Sequence, residues 1–429
     1  MTIQQTISRL ASQCVLCAVC TPYCPTYQIF RTENESPRGR IALLKALAEE
    51  QFMPSKKTLI ALDHCLGCRA CEKNCPSQVD YAQLNRLGRQ FIRSHYPLIS
   101  HPLQQQLVEK VLSYKATQPL LSAAAKIASP VLKFFSPHSN KHSNTMSHFI
   151  NEIATHSSIS SALKNYYPAS GDHDNKSKAQ LILFTGCSSS LFEQQLLKDA
   201  IFLFNACQYD VVIPKEQNCC GALSIRQGNS ADTKKLAQGN IDSFIRLLEQ
   251  SQAIISLNNS CSAQLQDYKK FIDSKNAEQF SAKSFDAISF LADTIKHSPL
   301  QFNALDKETS SDSHLLGVHI PCSLKNMLRE EALLFKLLDH IPGVQLEKLN
   351  DDYCCGAAGS YMLQYPDVAR QLLDKKINDI ARHHYHTIVS SNIGCSLHLK
   401  QGIKQQAESL GREIEVLHPL SLLARLVKR

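Results

Sequence analysis

The chain has 429 residues, 43% of them hydrophobic and 20% charged, with a mean hydropathy of -0.20 and a formal net charge of +8. That length accommodates two or three domains with substantial cores, so neither disulfides nor metals are needed merely to fold. No stretch reaches the roughly 18 uninterrupted apolar residues of a membrane span, and a modest charge without an Arg-rich run or a nucleic-acid motif argues against nucleic-acid binding.

The 17 cysteines therefore want a chemical explanation. Their number is odd, and Met1 to Leu10 has no apolar run of secretory length. Clustered thiols in a cytosolic chain are metal ligands or redox groups more often than disulfide halves. The expectation is a cytoplasmic protein.

Residues 1–96 hold eight of the cysteines. Cys14-x2-Cys17-x2-Cys20-x3-Cys24-Pro25 recurs as Cys65-x2-Cys68-x2-Cys71-x3-Cys75-Pro76. Three cysteines at such steps can curl around one iron–sulfur cube, and the fourth lies too far round to close it, so it serves the other cube. The spacing thus predicts one 4Fe–4S cluster on Cys14, Cys17, Cys20 and Cys75, and another on Cys65, Cys68, Cys71 and Cys24. Zinc also uses C-x2-C pairs, but it does not call for three consecutive steps followed by Cys-Pro, twice. Between and after the motifs, SPRGRIALLKALAEE opens well as a helix, with Ser36 as N-cap and Pro37 in the first turn. Ile41, Leu44 and Ala48 share its apolar face, and Tyr81, Leu84, Leu87 and Phe91 have helical spacing too. The module is expected to be α-helical.

Residues 97–178 contain no cysteine. They read as a helical connector and a Ser/His-rich linker. Pro119 to Phe135 is its most apolar part. Lys126, Pro130 and Lys133 break it, leaving an amphipathic helix or a docking stretch for a partner or membrane surface.

The remaining chain is a tandem duplication, read as domains 179–310 and 311–429. Cys187, Cys219 and Cys220 recur as Cys322, Cys354 and Cys355, each displaced by 135 positions, and Cys261 recurs as Cys395, displaced by 134. In each repeat, LILFTGC or LLGVHIPC predicts a buried strand into a cysteine. A helix follows (SLFEQQLLKDAIFLFNAC; SLKNMLREEALLFKLLDHI), then a strand before Cys-Cys-Gly, a second helix, and a last strand into Cys261 or Cys395. This alternation predicts parallel strands in an α/β layer, with the cysteines where strands give way to loops. The whole is an α+β multidomain chain, an N-terminal α-helical ferredoxin module followed by two tandem α/β Cys-Cys-Gly repeats. Vicinal cysteines pair only with strain, so Cys187, Cys219, Cys220, Cys261 and Cys322, Cys354, Cys355, Cys395 are read as metal sites, for an iron–sulfur cluster or zinc. Cys207 has no counterpart and reads as a buried helix residue.

Other residues are less telling. His64 flanks or modulates a cluster, His319 and His398 lie near repeat cysteines, and Arg38 and Arg40 either tune a cluster or, as preferred here, face solvent. The chain has no G-x-G-x-x-G after a strand and no Walker-type loop. It shows no place for an organic redox cofactor and no catalytic residue, so a partner is implied.

The segments CVLCAVCTPYCPTYQIF, SPRGRIALLKAL, CLGCRACEKNCPSQVDY, DDYCCGAAGSYMLQYPDVARQLLDKKIND and SSNIGC resemble the iron–sulfur subunits of bacterial glycolate oxidase (glycolate dehydrogenase). The resemblance runs from about residue 12 to the end, except the stretch around 136–178. It implies an electron-transfer subunit whose FAD-bearing partners oxidise glycolate to glyoxylate, with electrons passing onward to membrane quinone and the complex peripheral to the inner face of the cell membrane. The iron–sulfur subunit of anaerobic glycerol-3-phosphate dehydrogenase and lactate-utilisation proteins share the layout, and Cys-Cys-Gly repeats also occur in heterodisulfide reductase. The alternatives are therefore an electron-transfer subunit of a D-lactate or glycerol-3-phosphate dehydrogenase, or a thiol–disulfide enzyme. In the fullest form of the repeat motif the last cysteine ends a C-x-x-C; here Asn258 and Asn392 hold its first position. That departure counts against the disulfide-reducing chemistry.

Overall fold

The computed structural model describes residues 1–97, 124, 126, 150, 152–153, 163–169, 179–305, 315–350 and 354–428. The stretch 119–135 lies outside the described residues, apart from Ala124 and Lys126.

The first module is helical, as the spacing predicts. Its elements are α1 (Ile3–Ala11), α2 (Pro25–Phe30), α3 (Pro37–Ala48), α4 (Lys56–Asp63), α5 (Ala70–Lys73) and α6 (Tyr81–His95). Ser36 caps α3 by accepting from the Gly39 amide at 2.9 Å, with Pro37 at the first helical position. Ile7, Leu10, Ile41, Leu44, Leu59, Leu84 and Phe91 form the core between α1, α3, α4 and α6.

Each repeat then builds a parallel sheet. β1 (Tyr166–Tyr167) pairs antiparallel with β3 (Asp210–Val212) at one edge of the first sheet, which runs β1-β3-β2-β4-β5 with β2 (Gln180–Phe184), β4 (Ser251–Ser256) and β5 (Ser284–Asp286). The second sheet runs β7-β6-β8-β9, from β6 (Leu315–His319), β7 (Gln345–Lys348), β8 (Thr387–Ser390) and β9 (Glu415–Leu417). Without β1, the two orders are the same, as a duplication requires. Leu181 to Phe184 are buried on both faces, which is why β2 reads as an unbroken apolar run.

Two predicted helices are interrupted. The first breaks at Glu193, between Ser188–Phe192 and Gln194–Ala206. The second begins as a π-helix, Ser323–Leu328, and restarts as Glu331–Leu338 after Arg329 turns left-handed with φ 62°. The strands expected to run into Cys261 and Cys395 stop at Ser256 and Ser390. Both cysteines sit instead in the first turns of the helices Asn259–Gln266 and Ile393–Gln405, because Asn258 and Asn392 cap those helices.

The repeats embrace reciprocally. The last helix of the first, Ala287–Thr294, packs on Glu331–Leu338 of the second, and the C-terminal helix Pro419–Leu426 packs on Gln194–Ala206 of the first. One apolar core, including Leu197, Phe204, Leu291, Leu334 and Leu423, runs through both. Positions related by the duplication meet at the centre: the Asn392 Nδ2 donates to Asn258 Oδ1 at 3.2 Å and to Ser260 Oγ at 2.7 Å. The asparagines that replace a cysteine of the fuller motif thus cap a helix each and join the repeats.

His418 is a second tie. Its Nε2 donates to the Leu257 carbonyl at 3.0 Å and its Nδ1 accepts from the Leu420 amide, so the buried ring is held neutral. Burial carries its pKa down to about 3. The stability from His418 is therefore complete above the unfolded value near 6.5 and lost as pH falls toward 3, up to roughly 4 kcal/mol. Asp286, raised to about 6 chiefly by burial, acts in the opposite sense between about pH 4 and 6. Comparing denaturant midpoints of the wild type and His418→Asn across pH 3–7 isolates the histidine. The acid loss should be shallower in the variant, and parallel curves would refute the assignment.

Candidate metal centres

The two C-x2-C-x2-C runs have the same backbone. In the first, Leu16 (φ 57°) and Ala18 (φ 66°) are left-handed; in the second, Gly67 (φ 66°) and Arg69 (φ 55°) are left-handed at the same offsets from the leading cysteine. Three of these four are not glycine, so each loop holds an unfavourable conformation that turns its cysteines to a common centre.

Two cavities open between the loops. Cys14, Cys17, Cys20, Cys71 and Cys75 line one, with Ile41, Val79 and Arg38. Cys24, Cys65, Cys68 and Cys71 line the other, with Arg40, Leu66 and Tyr81. In each, thiols from both runs converge. Burial first, then neighbouring thiols, push Cys68 and Cys71 well above the usual thiol range. Such thiols lose their protons readily only to a metal, which supplies the missing positive charge. The donor set and the walls therefore fit iron–sulfur clusters.

The surroundings of the two cavities differ. Around the first, Cys17 is exposed and Arg38 is one-third exposed and paired with Glu33 at 2.7 Å. Around the second, charges are buried. Contrary to the solvent-facing expectation, Arg40 is 1% exposed: it donates to the Ala61 carbonyl at 2.8 Å, Thr26 at 2.9 Å and Glu35 at 2.5 Å, and its Nη1 lies 3.7 Å from Cys24 Sγ. Glu35 also meets His64 Nδ1 at 2.7 Å, and the imidazole stacks on Phe30. The Tyr81 hydroxyl donates to Cys65 Sγ at 3.6 Å. Burial raises the Cys65 thiol, but the charges of Arg40 and Arg89 outweigh it and leave the thiol lowered.

The repeat cysteines assemble as well. In the first repeat the Sγ atoms of Cys187 and Cys219 lie 3.4 Å apart and those of Cys220 and Cys261 3.3 Å, all four residues buried. The Tyr268 hydroxyl donates to the Cys220 carbonyl and Asn240 to that of Cys219. In the second repeat Cys355 and Cys395 Sγ are 2.9 Å apart, and a hydrogen bond to Cys354 and burial raise Cys322. His319, Cys355 and Cys395 offer ligand atoms all within 4.8 Å of one another, so His319 is placed where it could share a metal with them. His398 Nδ1 contacts the Cys355 carbonyl at 2.7 Å. Gly221 and Gly356 (φ 86° and 82°) make the turn after each cysteine pair; a Cβ on Gly356 would come within 2.6 Å of the Ala369 carbonyl. Cys207 is half-buried at a helix end, and burial pushes its thiol up to about 11.

A cleft of about 780 Å³ connects the module to the second repeat, lined by Cys68 on one side and by Cys322, Cys354, Cys355, Cys395 and His319 on the other. Asn326 in the π-helix donates to the Cys68 carbonyl at 2.9 Å across it. Among the described residues, no helix is long and apolar enough to cross a membrane.

Comparison with known proteins agrees with this layout. A family model described as 4Fe-4S dicluster domain matches residues 10–79, and one described as Cysteine-rich domain matches 181–266 and 316–400. The chain is 29% identical to the probable glycolate oxidase iron-sulfur subunit of Bacillus subtilis over 96% of its own length and 92% of that protein. It is 28% identical to the glycolate oxidase iron-sulfur subunit of Escherichia coli over 90% of this chain and 89% of that one. Lactate utilization protein A of Shouchella clausii is 27% identical across 97% of its length, matching 56% of this chain. The chain is an iron–sulfur electron-transfer protein, a helical 4Fe–4S dicluster domain followed by two cysteine-rich α/β domains, related over nearly its whole length to glycolate oxidase iron-sulfur subunits.

Proposed function

We propose that this chain is the electron-transfer subunit of a flavin-dependent glycolate dehydrogenase complex, taking electrons from FAD on partner subunits and passing them toward membrane quinone. A 4Fe–4S cluster accepts one electron at a time, so two of them can split the pair that leaves a flavin. Cys14, Cys17, Cys20 and Cys75 would hold one cluster, and Cys24, Cys65, Cys68 and Cys71 the other. The single observation that carries the reading is the pair of cavities that draw thiols from both runs, the second of them sharing Cys68 with the cleft of the second repeat.

The chain's own residues supply position and insulation. Left-handed loop residues aim the thiols, Tyr81 and Arg40 place donors at Cys65 and Cys24, and the apolar walls exclude water. No residue on the chain is assigned to the oxidation of substrate. The repeat cysteines, with His319 in the second, would hold a further cluster or zinc. Glycolate is favoured over lactate because the glycolate oxidase relatives match 90% or more of this chain, whereas the lactate utilization protein matches 56%.

The test is to purify the chain anaerobically with its native partners, add glycolate, and follow cluster absorbance and EPR. Reduction by glycolate supports the reading. Reduction only by D-lactate or glycerol 3-phosphate would move the chain to a sister complex, and the absence of cluster signals would refute it.

A further inference from the structure

Three arginines surround the loop at Cys65: Arg40 and Arg89 are buried, and Arg226, from the first repeat, is partly buried. Arg40 is paired with Glu35, and Arg89 with Asp63 at 2.6 Å. Arg226 has no carboxylate. It ends the short helix Ala222–Arg226 that follows Cys219-Cys220-Gly221, and its Nη1 donates to the Cys65 carbonyl at 3.0 Å. Its Nη2 is buried with no hydrogen-bond partner. Its guanidinium lies 5.2 Å from the ring centroid of Tyr361, the residue that the duplication places at the same position of the second repeat. The nearby Arg89 adds a like charge, and Asp63 already serves Arg89.

A guanidinium with a buried, unsatisfied nitrogen and no carboxylate partner is costly unless some other anion offsets it. Among the described side chains the nearby carboxylate is that of Asp63, which Arg89 already engages. A 4Fe–4S cluster with four thiolates is an anion, and reduction adds one negative charge without forming a bond or requiring a proton. A fixed cation held against the Cys65 loop therefore stabilises the reduced cluster more than the oxidised one. The other cavity has only the screened, Glu33-paired Arg38 among its arginines.

We infer that Arg226 is a positioning residue that raises the reduction potential of the cluster at Cys24, Cys65, Cys68 and Cys71 above that of its neighbour, so that the first repeat tunes a cluster it does not hold. Electrons then run from the exposed cluster at Cys17 to the buried one. The inference rests on the cluster assignment proposed above.

The experiment is an EPR-monitored redox titration of the anaerobically purified complex carrying Arg226→Met, Arg226→Gln or Arg226→Lys. In Arg226→Met one midpoint should fall, by about tenfold in the ratio of reduced to oxidised cluster at fixed potential, which is 59 mV for a one-electron couple. The other midpoint should stay, and Arg226→Lys should recover most of the shift. If Arg226→Met does not retain both clusters, the pair Arg226→Gln and Arg226→Lys decides, since both are polar and only lysine keeps the charge. Equal midpoints for that pair, or an unmoved midpoint in an intact Arg226→Met, would overturn the inference and leave Arg226 as a domain tie. A wild-type complex with no 4Fe–4S signal would instead overturn the cluster assignment.

Discussion

Cys75→Ala is expected to remove about half of the iron bound by the eight N-terminal cysteines, and the half that goes is the cluster whose other ligands lie more than fifty residues upstream. Cys75 lines the same cavity as Cys14, Cys17 and Cys20. Cys24 lines the other, with Cys65 and Cys68. The EPR spectrum left by Cys75→Ala should therefore match that of Cys14→Ala, and the spectrum of Cys24→Ala should match that of Cys65→Ala. Pairing by sequence proximity instead, with Cys75→Ala resembling Cys65→Ala, would overturn the crossed assignment.

The second large effect is expected at Asp63, at the end of α4. Its carboxylate accepts from Arg89 at 2.6 Å, from the Tyr365 hydroxyl at 2.7 Å and from Gln364 Nε2 at 2.5 Å. One side chain thus joins the helical module to the second repeat and neutralises an arginine that also holds the Cys65 carbonyl at 2.8 Å. Asp63→Ala leaves Arg89 buried without its partner, a loss of about 3–5 kcal/mol by comparison with other broken buried pairs. A denaturant series on the complex reads it as a lowered midpoint, with Asp63→Asn between the two because it keeps a hydrogen-bond acceptor. A midpoint within about 0.5 kcal/mol of wild type, the range of an ordinary surface change, would show that the junction does not depend on Asp63.

The close approach of the domains has a backbone requirement too. Gly228, with φ 72°, lies so near α6 that a Cβ would come within 2.4 Å of the Arg89 carbonyl. Only glycine lets the first repeat sit against α6 in this way. Arg93 adds a hydrogen bond to the Gln227 carbonyl at 3.3 Å, and Ser230 donates to Gln90 at 2.7 Å. These contacts carry Arg226 to the Cys65 loop.

Much of the molecule was legible before any coordinates. The helical character of residues 1–96 followed from capping residues and apolar spacing, which act within a few turns of chain. The duplication was legible because four cysteines keep register over a distance of about 135 positions. The parallel sheets followed from buried apolar runs alternating with helical periods, and the two-cluster character from the spacing of eight thiols. Each of these signals is local or repeats itself along the chain.

What the sequence could not disclose depends on residues brought together from far apart. Arg40 and Arg38 stand two positions apart with the same charge, yet one is sealed against Glu35 and the other reaches solvent. Asn258 and Asn392 look like lost cysteines in the sequence; folded, they cap helices and bond to each other across the repeats. His319 was only a weak candidate from its place near Cys322, and its approach to Cys355 and Cys395 could not be read, because β6 and the loops that meet it are separated by dozens of residues. Arg226 and Asp63 carry no motif at all. Their importance arises from burial, where an unpaired charge is expensive and its neighbours decide its cost, and burial of a single side chain is set only when the domains close over it.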